Sequence, residues 1–161
     1  MQRITLLCVG KLKEKFYAEA AAEYVKRLGR YCKLDLVELP EERLPENPSP
    51  AQIDAALAKE AEALRRKLPP ASRLVALCVE GRLCSSEELA RSMAAWSGGG
   101  GETRPVFLIG GSFGLHASIK AQAADRLSMS PMTFPHHLAR VMLLEQIYRA
   151  FQIGAGTRYH K

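Results

Sequence analysis

The sequence predicts an α/β fold, a mostly parallel sheet with helices on both faces. Three observations point there. Short apolar runs alternate with amphipathic stretches through all 161 residues, the pattern of repeated strand–helix units. The principal runs are continuous rather than alternating in polarity, as strands covered on both faces are. Glycine or proline marks nearly every change of periodicity.

The first strand is Ile4 to Val9, closed by Gly10. Glu14 to Leu28 follows as a helix, with Phe16, Ala20, Tyr24 and Leu28 on one face and Gly29 as its stop. Leu34 to Leu39 is a second strand, ended by Pro40, and four prolines between residues 40 and 50 mark a loop. Ser49 caps a helix from Pro50 to about Lys67, where Pro69 and Pro70 end it. Arg73 to Val79 is the third strand, with Gly81 turning out of it. Ser85 and Glu88 form a capping box for a helix from Ser86 to about Trp96. Gly98 to Gly101 reads as a flexible connector rather than a phosphate cradle, because a strand follows it and no helix N-terminus is aimed at it. Val106 to Ile109 is the fourth strand, His116 to Asp125 a helix, Leu127 to Met129 a short strand, and His136 to Ile153 the long last helix. The whole chain, 1–161, reads as a single domain.

Apolar residues at 47% and charged residues at 25% are those of an ordinary globular protein. No run approaches 18 apolar residues, and the first is too short and wrongly flanked for a signal peptide, so the expected location is cytoplasmic, with no membrane partner. Cys8, Cys32, Cys78 and Cys84 form no CxxC pair and have no histidine at zinc spacing, so no metal is expected and the thiols read as small hydrophobes. His136 and His137 cannot chelate one ion together, since adjacent helical residues point about 100° apart. The net charge of +6 is uneven: seven Lys or Arg face three Glu between Lys11 and Lys33, whereas eight acids face Arg43 and Lys59 between Asp35 and Glu62. From His136 onward Arg140, Arg149, Arg158 and Lys161 face only Glu145. Basic ends of this kind suit a polyanionic partner.

Two loops carry the candidate ligand site. Gly110, Gly111 and Gly114 follow the fourth strand, and Met129 to Pro135 follows the fifth. Both sit at carboxyl ends of strands, where open α/β sheets bind ligands. The glycine loop matches neither G-x-G-x-x-G nor the P-loop, so it reads equally as a tight strand-to-helix turn. The 129–135 segment offers an apolar wall with backbone groups fixed by Pro131 and Pro135, suited to holding an adenine ring, or it is an ordinary connector. Val141, Leu144, Ile147, Tyr148 and Phe151 make the apolar face of the last helix, as core or as a dimer seam. Gly154 to Gly156 leaves the terminal residues free to fray, yet Tyr159, His160 and Lys161 bring an aromatic, a titratable group and a cation together there.

At these residues the chain resembles a known family, the small 23S ribosomal RNA pseudouridine N3-methyltransferases of the SPOUT class, called the large-subunit methyltransferase H family. The resemblance runs through VGKLKEKF, EYVKRLGRY and ELPEERLPEN to LIGGSFGLH, LSMSPMTFPHHLARVMLLEQIYRAFQI and the terminal YHK. It implies a C-terminal deep trefoil knot, an exception to the rule against threaded chains. It also implies S-adenosylmethionine as methyl donor, held by Leu77, Gly110 and the loop Met129, Ser130, Pro131, Met132, Thr133 and Phe134. Further implications are a homodimer through the last helix, a tail reaching the partner's site, and a 23S ribosomal RNA substrate within the ribosome or its large subunit. On this reading His160 accepts or relays the proton of the N3 imide, because histidine ordinarily titrates near neutrality. Tyr159 positions or stacks on the base, and Arg140 and Lys161 offset phosphate charge. The chain departs from the family in carrying Arg158 where relatives often have a proline or small residue. Two other readings are a knotted methyltransferase acting on transfer RNA and a ribosome-binding protein without catalysis.

Overall fold

The computed structural model describes residues 1–98 and 103–161. Five strands, β1 (Gln2–Val9), β2 (Cys32–Leu39), β3 (Ser72–Leu83), β4 (Arg104–Ile109) and β5 (Asp125–Ser128), form one sheet in the order β2-β1-β4-β3-β5. Every pairing is parallel. The helices are α1 (Lys15–Leu28), α2 (Pro50–Arg66), α3 (Ser86–Gly98), α4 (Ala117–Gln122) and α5 (His136–Gly154). The glycine connector expected from Gly98 onward lies, apart from Gly98 itself, outside the described residues.

The apolar strands are continuous because each feeds two cores. Ile4, Leu6 and Cys8 of β1, Val75 of β3, and Phe107 and Ile109 of β4 pack with α1, α3 and α5. Leu7 and Val9, Leu74 and Ala76, and Val106 and Leu108 point the other way, toward residues of α2 and α4. Period-two alternation thus divides one run of hydrophobic residues between two faces. The expected caps form. Ser49 Oγ accepts from the Gln52 N–H at 3.2 Å while Gln52 Oε1 accepts from the Ser49 N–H at 2.9 Å. Ser85 and Glu88 make the same reciprocal pair at the start of α3.

Two elements differ from expectation by more than two residues at one end, for identifiable reasons. Strand β3 does not stop at Val79 but runs to Leu83 through a register shift, in which Leu127 of β5 pairs with both Leu77 and Arg82. Gly81 permits this, because a Cβ there would lie 2.7 Å from the Leu127 carbonyl carbon. The excursion 78–81 is a bulge, a device common beside functional sites. Helix α4 covers six residues, not ten. Ala123 is already extended, and Asp125 belongs to β5, where Arg73 Nε holds it at 2.8 Å. Among the described residues no helix is long and apolar enough to cross a membrane.

Candidate active site

The bulged middle of β3 and the carboxyl ends of β4 and β5 open into a cavity of about 710 Å³, within the roughly 300–1,000 Å³ range of ligand clefts. Its walls are residues 77–80, the glycine turn 109–115, Met129, Ser130, residues 132–136, and Lys120 and Ala139. Of the residues expected to hold a donor, Leu77, Gly110, Met129, Ser130, Met132, Thr133 and Phe134 line it. Pro131 is exposed and forms no part of the wall.

Both loops are fixed by backbone devices. The Gly114 N–H donates to the Gly111 carbonyl at 3.0 Å, and Gly114 holds φ at +79°, a left-handed conformation that favours glycine. A Cβ on Gly110 would sit 2.3 Å from the Gly114 backbone, so this glycine is required by the turn itself, independently of any ligand. In the second loop Ser128 Oγ donates to the Ser130 carbonyl, and Ser130 Oγ accepts from the Met132 N–H, each at 3.0 Å. A residue the sequence did not single out, Glu41, staples the glycine turn. Its Oε1 accepts from the Ser112 N–H at 2.8 Å and lies so close to Gly111 that a Cβ there would meet it at 2.6 Å. The only trace of this in the sequence is the acid's place in the ELPEERLPEN segment.

Arg140 requires a correction. It is 1% exposed, and its Nη1 and Nη2 donate to Glu38 Oε2 at 2.5 Å and to the Gly10 carbonyl at 2.9 Å. A guanidinium buried and neutralised in this way is not placed to meet an RNA phosphate. It clamps α5 to the ends of β1 and β2. Burial pushes the Glu38 carboxyl up, but the Arg140 hydrogen bond, the Leu12 N–H and the charges of Arg140 and Lys11 outweigh it, holding the group below its usual value.

Replacing Arg140 by Met should therefore cost about 2–4 kcal/mol, less than a fully buried pair because the Glu38 side chain is 32% exposed. A depressed carboxyl stabilises the fold above its ordinary pKa and loses that contribution as the pH falls through the folded value. The gap in urea midpoint between wild type and Arg140→Met should thus be widest at neutral pH and narrow well below pH 4.5. Equal midpoints at pH 7 would show that the clamp is idle.

The tail is docked rather than frayed. Gly156, at φ +66°, reverses the chain, and Thr157 bonds Gln152 through both its N–H and its hydroxyl. Tyr159 then packs edge-on against Tyr148, with centroids 5.0 Å apart, under the Arg149 guanidinium. Its hydroxyl donates to Glu145 Oε1 at 3.0 Å. Burial, the hydrogen bond to Glu145 and the Glu145 charge raise the Tyr159 phenol to about 12, so it stays protonated and cannot serve as a base. His160 Nε2 meets Glu87 Oε1 of α3 at 2.7 Å, and this bond, ahead of backbone and Ser85 contacts, holds the Glu87 carboxyl at about 2. Lys161 is exposed.

Within one chain, then, the tail and the cavity are apart. The α5 residues at the cavity are His136 and Ala139, whereas those under the tail are Glu145, Tyr148 and Arg149. The two sets are separated by roughly 9–20 Å along the helix axis, and no tail residue lines the cavity. On the apolar face of the last helix, Leu144 and Ile147 are fully buried in the core of their own chain, so they belong to the core and not to an exposed seam. Among the described residues no group of three His, Cys, Asp or Glu side chains is arranged to hold a metal ion.

The family model described as a predicted SPOUT methyltransferase matches residues 2–160. Among solved structures, a probable methyltransferase from Bordetella pertussis Tohama I is similar with a TM-score of 0.58 at 16% identity, over 92% of this chain and 93% of that one. A probable methylase family protein from Haemophilus influenzae Rd KW20 is similar with a TM-score of 0.55 at 15% identity, over 95% of this chain. The chain spans 66% of that protein's length, just under two thirds. At these identities the likeness is one of fold.

Proposed function

Because the chain belongs to the SPOUT methyltransferase family, whose α/β fold carries a C-terminal trefoil knot, we propose that it moves a methyl group from S-adenosylmethionine to N3 of a pseudouridine in 23S ribosomal RNA. The observation that carries this reading is the convergence of the glycine turn and the 129–134 loop on one cavity of about 710 Å³. The cavity suits the donor. Its apolar wall comes from Leu77, Met129, Met132 and Phe134, and the glycine turn leaves backbone groups bare of side chains. The chemistry a bound donor supplies is a methyl group already electrophilic on its sulfonium.

The chain's task is therefore alignment, worth up to about 7–11 kcal/mol when two reactants are held in register. Leu77, Gly110, Met129, Ser130, Met132, Thr133 and Phe134 hold the donor. His160 accepts the N3 proton, and Tyr159, kept neutral, positions the base. Since neither tail residue reaches the cavity of its own chain, this scheme needs a homodimer in which the tail serves the partner's cavity. Two features support a second copy at α5. Leu138 and Met142 lie on the side of α5 opposite Ile147, only partly buried and outside both apolar cores. Val79, Phe113 and Met132 leave an apolar rim exposed at the cavity mouth. Sedimentation at micromolar concentration should give twice the chain mass; a monomer alone would remove the shared-site scheme.

The function is tested by supplying labelled donor with assembled ribosomes, separated subunits, free 23S RNA or transfer RNA, and mapping the product by mass spectrometry. Label on N3 of a 23S pseudouridine is expected, with intact particles as the preferred substrate. Label confined to transfer RNA would replace the substrate in this reading. No heat on mixing with S-adenosylmethionine would leave a ribosome-binding protein without catalysis.

A further inference from the structure

A second cavity of about 440 Å³ lies beside the first, between β3, β5 and α3. Residues Glu80 and Gly81 of the bulge line it, and Glu80 lines both cavities, so the two share a wall. Its chemistry differs from that of the first. Arg82 and Arg126 face into it, together with Ser92, Leu89 and the indole of Trp96.

The acids present are already neutralised. Asp125 is held by Arg73 at 2.8 Å, and Glu80 by Lys120 Nζ at 2.5 Å. Arg82 and Arg126 are exposed, and neither has a carboxylate within ion-pair distance among the described residues. Two unpaired guanidiniums beside an aromatic wall form a receptor for a group that is anionic at one end and planar at the other.

We propose that this groove holds a nucleotide of the RNA substrate next to the reacting one, its phosphate between Arg82 and Arg126 and its base against Trp96. The proposal rests on the RNA reading above and adds to it a place for the neighbouring residue of the strand. Bases unstacked from RNA pack on aromatic side chains, and guanidiniums grip phosphate in bidentate fashion. The volume falls within the range of ligand clefts and suits one nucleotide rather than a duplex. Trp96 is itself firmly set. Its ring packs against Phe107 with centroids 6.3 Å apart, and the Arg73 guanidinium lies over it at 5.4 Å, pinned by Asp125. The wall is thus rigid before any ligand arrives, while the two arginines remain free to close on one.

Trp96 is the only tryptophan in the chain, so its emission reports on the groove alone. Titration with a short single-stranded oligoribonucleotide should quench it saturably. The double variant Arg82→Ala/Arg126→Ala changes exposed side chains and should leave S-adenosylmethionine affinity unchanged. With ribosomal substrate it should raise KM at least tenfold with kcat little affected, and lower the salt slope of RNA binding by about 0.7, the share of one single-strand phosphate. Unmoved Trp96 emission in a protein that methylates RNA, or a wild-type KM and salt slope in the double variant, would overturn the proposal. So would equal quenching by polyphosphate, which has no bases. If no RNA is methylated, the functional reading fails separately. The oligoribonucleotide titration then still decides the groove, upheld by quenching that needs both arginines and overturned by a flat signal.

Discussion

Gly110→Val is expected to abolish measurable S-adenosylmethionine binding and to destabilise the protein as well. A Cβ at Gly110 would stand 2.3 Å from the carbonyl carbon and oxygen of Gly114, both rigid backbone atoms. The turn must open, breaking the hydrogen bond from the Gly114 N–H to the Gly111 carbonyl and the staple from Ser112 to Glu41. Overpacking of this kind costs about 1–3 kcal/mol, and with the cavity wall displaced the loss in affinity should exceed 100-fold. Gly114→Ala is the informative comparison. A Cβ there meets nothing within 4 Å, but the φ of +79° is strained for alanine, which costs roughly 1–2 kcal/mol. It should lose a similar amount of stability while retaining most of its donor affinity. Calorimetry with S-adenosylmethionine beside urea unfolding of both variants checks this. Wild-type affinity in Gly110→Val would mean that the turn contributes nothing to the donor site.

The contrast between these glycines shows what the sequence could and could not convey. Strands β1 and β4 were legible because both faces are buried, so every residue from Ile4 to Val9 and from Val106 to Ile109 is apolar or nearly so. The caps at Ser49 and Ser85 were legible because a capping box is local, closing over three residues. The sheet order was not, since a parallel neighbour is chosen by crossovers that leave no mark at the strand. Gly81 looked like an exit turn because only the close approach of Leu127, some 46 positions away in sequence, makes it a bulge. Arg140 looked like a surface cation because its partner Glu38 lies 102 residues earlier. The tail reads as loose because glycines precede it, whereas its order comes from Thr157 bonding back to Gln152 and from contacts of Tyr159 and His160 with Tyr148, Arg149 and the distant Glu87. Of the donor-site residues, those on loops at strand ends were legible because the α/β architecture places ligands there. Glu41 was not, because its role exists only once the proline loop folds over the glycine turn.

Deleting Tyr159, His160 and Lys161 should lower turnover by about 10²–10⁴-fold, the range expected when a general base is lost, with donor affinity changed by less than threefold. The cavity draws no wall from the tail, so donor binding has nothing to lose directly. Removal does release Glu145 and Arg149, which pair with each other at 2.8 Å and stay satisfied, and it frees Glu87, whose side chain is half-exposed. The fold should therefore survive with only a small change in urea midpoint. Because the tail lies beyond reach of its own cavity, mixing the tail-deleted chain with a Gly110→Val chain should restore activity. In that heterodimer the tail-deleted chain keeps an intact cavity and the Gly110→Val chain supplies an intact tail to it, so one of the two sites is whole. Recovery approaching half the wild-type rate, weighted by the heterodimer fraction, is the expected result. No recovery in a verified mixed dimer would assign the tail to its own subunit and require it to leave Glu145 and Glu87 during turnover. Parallel loss of donor affinity in the deletion would move the tail into the donor site instead.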